Sequence, residues 1–236
     1  MTVTWFDWKG RLGPLRLRLT DAVFRPSTVS SLIAQVMEVE EGDTVIDVGC
    51  GCGILSIIAA KLGAAHVHAV DVSPDVVAVG TANAREHGVA DKISFYQGDL
   101  FDPLPEGVKA DLIIGDVSGI PDELAAESGW FPDGRGGGPS GAELPQRMLR
   151  EAKRWLKDNG RLLLPTGSLQ DQEAILEAAR SLYGSVQELV ARAIPLPGDL
   201  MAGRALPALV REGIVELKAR GSRYLWNAQV WEITAG

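Results

Sequence analysis

The stretch Val45-Ile46-Asp47-Val48-Gly49-Cys50-Gly51-Cys52-Gly53-Ile54-Leu55-Ser56 constrains the fold more than any other part of the chain. It begins as an apolar strand in which Val and Ile predominate, as a parallel strand buried on both faces requires. It passes through three alternating glycines and enters an apolar run, Ile54 to Leu62, that reads as a buried helix. Glycine lets the backbone turn where other residues are strained and come close to a ligand that a Cβ would hold off. The helix start adds unpaired N–H groups and a partial positive charge. Strand, loop and helix together predict a nucleotide-type ligand site at the carboxyl end of the strand. The dinucleotide fingerprint needs Gly-x-Gly-x-x-Gly, and Ile54 stands where its last glycine belongs. Asp47, two residues before the first glycine, suits a ligand carrying positive charge better than a pyrophosphate.

This acidic-x-Gly-x-Gly-x-Gly pattern resembles motif I of the class I S-adenosylmethionine (SAM) methyltransferases. The resemblance implies that Asp47, Gly49, Gly51 and Gly53 lie against the methionine part of SAM. His66-Val67-His68-Ala69-Val70-Asp71 is a second buried strand ending in an acid, followed by Val72 and by Ser73-Pro74, which predicts an N-cap and first helical residue. Asp71 stands some twenty residues past the glycines, the distance at which an acid reaches a ribose diol. The family uses it so, with Val72 beside the cofactor. Ile93-Ser94-Phe95-Tyr96-Gln97 is a third strand. By resemblance, Asp99 then takes the adenine amine while Leu100 packs on the ring or donates its N–H. Ala110-Asp111-Leu112-Ile113-Ile114-Gly115-Asp116 is a fourth strand. Its end faces the point where strand order reverses, so Asp116 is expected beside the departing methyl group, as catalytic base or charge partner and in contact with SAM.

Size and charge fit this reading. A chain of 236 residues suits one α/β domain with additions. A net charge of −8 disfavours a broad phosphate-binding surface, so nucleic acid is not the expected partner. No apolar run nears a bilayer span, which predicts no membrane association, and the start lacks the pattern of a secretory signal. Cys50 and Cys52, the two cysteines, are too few and too close for a disulfide framework, so a reducing cytoplasm is expected. His66, His68 and His87 lack metal-ligand spacing and are read as structural.

Other segments set the boundaries. In residues 1–24, Leu15, Leu17 and Leu19 alternate with Arg16 and Arg18 after Trp5, Phe6 and Trp8, which predicts a half-buried strand. It is either an edge ribbon with a solvated arginine face or a lip over substrate. Residues 25–236 form the methyltransferase domain, starting with a helix capped by Ser27 or Thr28. The long 120–141 loop, with Trp130, Phe131 and Arg135, reads as a substrate lid. The apolar positions Leu144, Met148, Leu149, Ala152, Trp155 and Leu156 predict one helix stopping at Asn159-Gly160. A helix from Ser168 to Tyr183 follows, and then an insertion over 195–222, helical and broken by Pro207. The last two strands are expected to form an antiparallel edge hairpin. The fold class is therefore α/β, a Rossmann-like doubly wound, mostly parallel seven-stranded sheet.

Within the class, the chain is similar to the HemK-like release-factor glutamine methyltransferases. Gly137-Gly138-Pro139-Ser140-Gly141 with the following helix and strand resembles their post-catalytic segment, and Phe24-Arg25-Pro26 their approach to the first helix. They carry Asn-Pro-Pro-Tyr where this chain has Asp116-Val117-Ser118-Gly119, and their large helical domain is not among these residues. The implied cofactor is SAM, and the acceptor is an N or O atom of a protein side chain or a small metabolite. An RNA methyltransferase and a non-catalytic SAM-binding subunit are the alternatives. The loop spacing disfavours a nicotinamide-dependent dehydrogenase.

Overall fold

The computed structural model describes residues 2–132, 134–198 and 200–235. A seven-strand path organises it. In chain order its strands are β3 (Thr44–Val48), β4 (His66–Asp71), β5 (Ile93–Gln97), β6 (Ala110–Gly115), β7 (Leu156–Gly167), β8 (Ser185–Pro195) and β10 (Arg223–Thr234). Across the sheet the order is β5-β4-β3-β6-β7-β10-β8. The first five pair in parallel, whereas β10 lies antiparallel to both β7 and β8. The expected antiparallel end is present, with β10 inside the sheet and β8 at its edge. A three-residue strand, β9 (Lys218–Arg220), adds to β10 as an eighth.

Strand alternation divides the core in two. Val45, Val67, Ala69, Leu112, Ile114 and Leu163 face one side. There α1 (Thr28–Val36), α2 (Ile54–Leu62) and α3 (Val76–Glu86) cover them. Ile46, Val48, Val70, Ile113, Leu162 and Leu164 face the other. They meet α5 (Glu143–Ala152) and α6 (Gln172–Leu182). In α2 every residue from Ile54 to Ala60 is buried. Each large side chain there contributes about 1.5–3 kcal/mol, so a charge at Ile57 would break this layer. A third, smaller cluster joins α4 (Asp122–Ser128) to α7 (Ala205–Arg211) through Leu124, Leu206 and Leu209.

The N-terminal residues form a separate antiparallel ribbon, β1 (Thr4–Trp8) with β2 (Leu15–Leu19). Its leucines and Trp8 join the α1–α3 core. The Arg11 guanidinium donates to the carbonyls of Ala34 (3.2 Å) and Met37, closing the end of α1. Ser27 caps the start of α1 in a reciprocal box with Ser30, an arrangement worth about 0.5–2 kcal/mol.

Five boundaries differ from the sequence expectation. The helix at 144 stops at Ala152, because Ala110 N donates to Trp155 O (2.7 Å) and draws Leu156 into β7. Helix α3 begins at Val76, since Ser73 Oγ donates to Ala22 O (2.8 Å) and accepts only a long bond from Asp75 N (3.3 Å). Helix α6 begins at Gln172, where Asp171 accepts from Ala174 N. The 120–141 loop contains α4, whose first turn carries Asp122 and Glu123 against the helix dipole. Pro207 sits in the first turn of α7 and does not break it, because those N–H groups have no intrahelical partner to lose.

Candidate functional site

The glycine loop leaves β3 and enters α2 with positive φ at Gly49 (79°), Gly51 (53°) and Gly53 (85°). A Cβ at Gly49 would lie 2.3 Å from Asp116 O, and one at Gly53 2.9 Å from the Phe95 ring. At Gly51 the nearest atom would be Phe24 O, at 3.3 Å. Positive φ and the close approach of the Asp116 backbone, the Phe24 backbone and the Phe95 ring therefore demand these glycines. Gly49 N and Cys50 N both donate to Val70 O, which ties the loop to β4.

Three carboxylates surround this loop. Asp71 Oδ2 accepts from Gly51 N and Oδ1 from Ser73 N, both at 2.8 Å. Asp47, fully buried, accepts from Ser56 Oγ at 2.5 Å through Oδ2, while its Oδ1 has no hydrogen-bond partner. Burial pushes the Asp47 carboxyl up to about 7, against the Ser56 bond and helped by Asp116 and Asp71. Asp116 accepts from Ser30 Oγ at 3.1 Å. Burial and the charge of Asp71 raise it to about 6, and the Ser30 bond opposes them. Desolvated acids of one sign around an unpartnered oxygen favour a cation.

The other predicted residues flank this centre. Val72, beside Asp71, is an apolar side chain left 53% exposed. Asp99 lies beyond β5 in an exposed ion pair with Arg147 of α5, 2.5 Å apart. Leu100 is buried at a positive φ of 46°. The Cys50 and Cys52 thiols are buried and pushed up, Cys52 to about 12, so both stay protonated. His68 bonds the Tyr96 hydroxyl, His66 the Ser94 hydroxyl, and His87 donates to Arg16 O.

Sequence reasoning missed Ser30, Ser56 and Arg147. Ser56 had a signal, as the single hydroxyl in the apolar run from Ile54 to Ala60 of α2; Ser30, among Ser27, Thr28 and Ser31, had none. Arg147 had none, because its partner lies 48 residues away. Phe24, ahead of α1, and Phe131, in the 120–141 loop, stack with ring centroids 5.2 Å apart.

Residues 39–221 match the family described as "Methyltransferase domain". Ribosomal protein uL3 glutamine methyltransferase of Burkholderia pseudomallei is 35% identical over 148 residues, 58% of this chain and 47% of that protein. Ribosomal protein L11 methyltransferase of Pelotomaculum thermopropionicum is 34% identical over 154 residues, 63% and 48% of the two chains. Release factor glutamine methyltransferase of Moorella thermoacetica is 30% identical over 181 residues, 71% and 62%. The chain spans about half the length of the first two of these relatives. Among solved structures, ribosomal protein L11 methylase from Lactobacillus delbrueckii subsp. bulgaricus shares the fold, with a TM-score of 0.55, 20% identity, and 90% of this chain and 81% of that one covered. A tRNA methyltransferase from M. jannaschii does so at a TM-score of 0.61 and 17% identity, over 100% and 55% of the two chains.

Proposed function

The chain belongs to the methyltransferase-domain family, whose cofactor is SAM, and on that premise we propose that it methylates a nitrogen of a protein side chain. The observation that carries this reading is Asp116. Its carboxylate follows β6, is held by Ser30, and sits where its backbone touches the glycine loop. Relatives named for ribosomal proteins and release factors support a protein acceptor.

The residues fit the cofactor. The unpartnered Asp47 Oδ1 offers a buried acceptor for an ammonium group. Asp71, held at the end of β4 by Gly51 N and Ser73 N, is placed beside the glycine loop to accept from ribose hydroxyls. Val72 and Leu100 provide apolar walls. Arg147 holds Asp99 Oδ1, which leaves Oδ2 for an exocyclic amine. When bound, SAM supplies an electrophilic methyl group on a sulfonium. The protein's part is to hold the acceptor nitrogen about 3 Å from that carbon, in line, and to exclude water. Asp116 accepts a hydrogen bond from the acceptor N–H and takes the proton released as the new N–C bond forms. The 120–141 loop serves as a lid in this reading, with Phe131 stacked on Phe24 ahead of α1, while the N-terminal ribbon stays packed on the core.

One observation favours an RNA acceptor. On the outer face of the ribbon, Arg16 and Arg18 lie over the exposed Trp5 ring, 4.4 and 5.2 Å from its centroid. A single experiment separates the readings. Tritiated SAM is incubated with the enzyme, ribosomal proteins, a release factor and tRNA, and the fractions are counted. Alkali-stable label in protein is expected. Label confined to RNA or to small molecules rejects the protein reading.

A further inference from the structure

Parallel β6 and β7 bring their carboxyl ends to one edge of the sheet, and antiparallel β10 brings its start there, with Ala228 opposite Gly167. Between this edge, α6 and the 213–218 segment lies a cavity of about 510 Å³, within the range of ligand pockets. Trp226, Trp231, Leu176 and Ile214 contribute apolar surface, and Gln170 is part of the lining. A Cβ at Gly119 would lie 2.5 Å from Gln170 Oε1, so this amide packs directly against the loop that follows Asp116.

Gln170 is 7% exposed, and its Nε2 is buried without a hydrogen-bond partner. Folded chains seldom leave such a donor unsatisfied without a use for it. The other two glutamines on the cavity are engaged. Gln172 donates to Gln229 Oε1, and Gln229 donates to Glu188. Trp231 Nε1 already donates to Thr166 Oγ1, so that residue offers its ring. Asp171, Glu173 and Glu216 outnumber Arg180 and Lys218 in the lining, which disfavours a phosphate chain and suits a neutral or basic one.

We propose that this cavity holds the backbone of the acceptor polypeptide beside the methylated residue, with the Gln170 side-chain amide hydrogen-bonding to one of its peptide groups. The assignment rests on the protein-acceptor reading above and adds a subsite to it. Gln170 acts in binding and specificity and is separate from the methyl-transfer chemistry.

The test compares blocked tripeptides, Gly-X-Gly with X as Gln, Lys or Arg, against the matching side-chain analogues propionamide, butylamine and propylguanidine. The protein is saturated with S-adenosylhomocysteine, and the Trp226 indole resonance, assigned through Trp226→Phe, is followed. At least one tripeptide is expected to shift it, and the analogues, which lack the flanking peptide groups, are not. In Gln170→Leu and Gln170→Met the tripeptide affinity is expected to fall about tenfold, the scale of one lost hydrogen bond. The melting temperature and S-adenosylhomocysteine affinity are expected to hold. Tripeptide binding that is equal in these variants, or absent from Trp226 in the parent, overturns the proposal. So does a marked drop in melting temperature in both variants, which would assign Gln170 to structure. Failure of the protein-acceptor reading reads differently, as tritium found only in RNA or in small molecules.

Discussion

The sheet edge above β3 and β4 and the edge above β7 and β10 are built in different ways. Above β3 and β4 the turns are tight and local: Asp71 bonds Gly51 and Ser73, and Val70 O takes two loop N–H groups. Above β7 and β10 the structure is assembled from distant pieces. Glu127 of α4 accepts from Arg204 N and Ala205 N at the start of α7, and Ser168 O accepts from Glu216 N. A short cluster of leucines holds that side together. The first edge is suited to a ligand of fixed shape. The second is a surface that can differ in detail without disturbing the sheet beneath.

The strongest test of that contrast is Gly49, where the first edge meets the exit of β6. Gly49→Ala meets both a φ of 79° and Asp116 O at 2.3 Å. It should cost about 3 kcal/mol or more, or about 6–12 °C in melting temperature. Gly51→Ala, with its nearest contact at 3.3 Å, should cost less. Denaturant melts that reverse this order would break the picture of a loop clamped by the β6 exit.

Asp116→Asn keeps the shape and removes the charge. Turnover should fall by about a hundredfold or more, with SAM affinity nearly unchanged, as measured by initial rates and calorimetry on the acceptor found by tritium transfer. Asp71→Ala acts on the other side. SAM binding should weaken by about 1.5–3 kcal/mol, and calorimetry showing unchanged affinity in a folded variant removes Asp71 from the site.

A smaller effect follows from pH. Asp47 at about 7 and Asp116 at about 6 both stand above the ordinary carboxylate value of 3.8, chiefly through burial. The folded state thus holds these protons more tightly than the unfolded chain does. The resulting stability is fully present below about pH 4 and is lost as pH rises through 6 to 7. A cationic ligand prefers the ionised Asp47, whose Oδ1 faces no other partner, so SAM affinity should rise as this acid ionises, by about tenfold between pH 5 and 8, with proton release. Calorimetry in buffers of different ionisation enthalpy reads that release. Identical heats in all buffers would remove Asp47 from the binding step. Smallest of all, Pro207→Ala should change stability by within about 0.5 kcal/mol in a thermal melt, since Pro207 occupies a tolerant first-turn position.

How much of this was legible follows the same division. The edge above β3 and β4 could be read because its signals are local: Val45 to Leu62 shows strand, turn and helix in one stretch, and Asp71 and Asp116 each end an apolar run. Element order and the antiparallel C-terminal strands were also legible. Boundaries failed where one pattern served two structures. Trp155 and Leu156 continue the helical spacing of Leu144 and Met148, yet a single bond from Ala110 N makes them the approach to a strand. The edge above β7 and β10 was largely hidden. Nothing near Gln170 in sequence points to Gly119, and α4 is a seven-residue helix with two buried residues, too short for a periodic signal.

The position of β10 has a consequence for how the molecule is made. Residues 223–234 lie between two strands that precede them in the chain, pairing with β7 on one side and β8 on the other. During synthesis β7 and β8 therefore emerge before the strand that joins them, each with a row of backbone groups awaiting a partner. Such open rows recruit other chains. Until residue 223 and its successors arrive, the sheet is two pieces with a gap. A nascent chain stalled in that interval exposes twelve-residue β7 along one side of the gap. Protection for this protein in the cell is needed during that interval, before the last strand slides into the middle and closes the sheet.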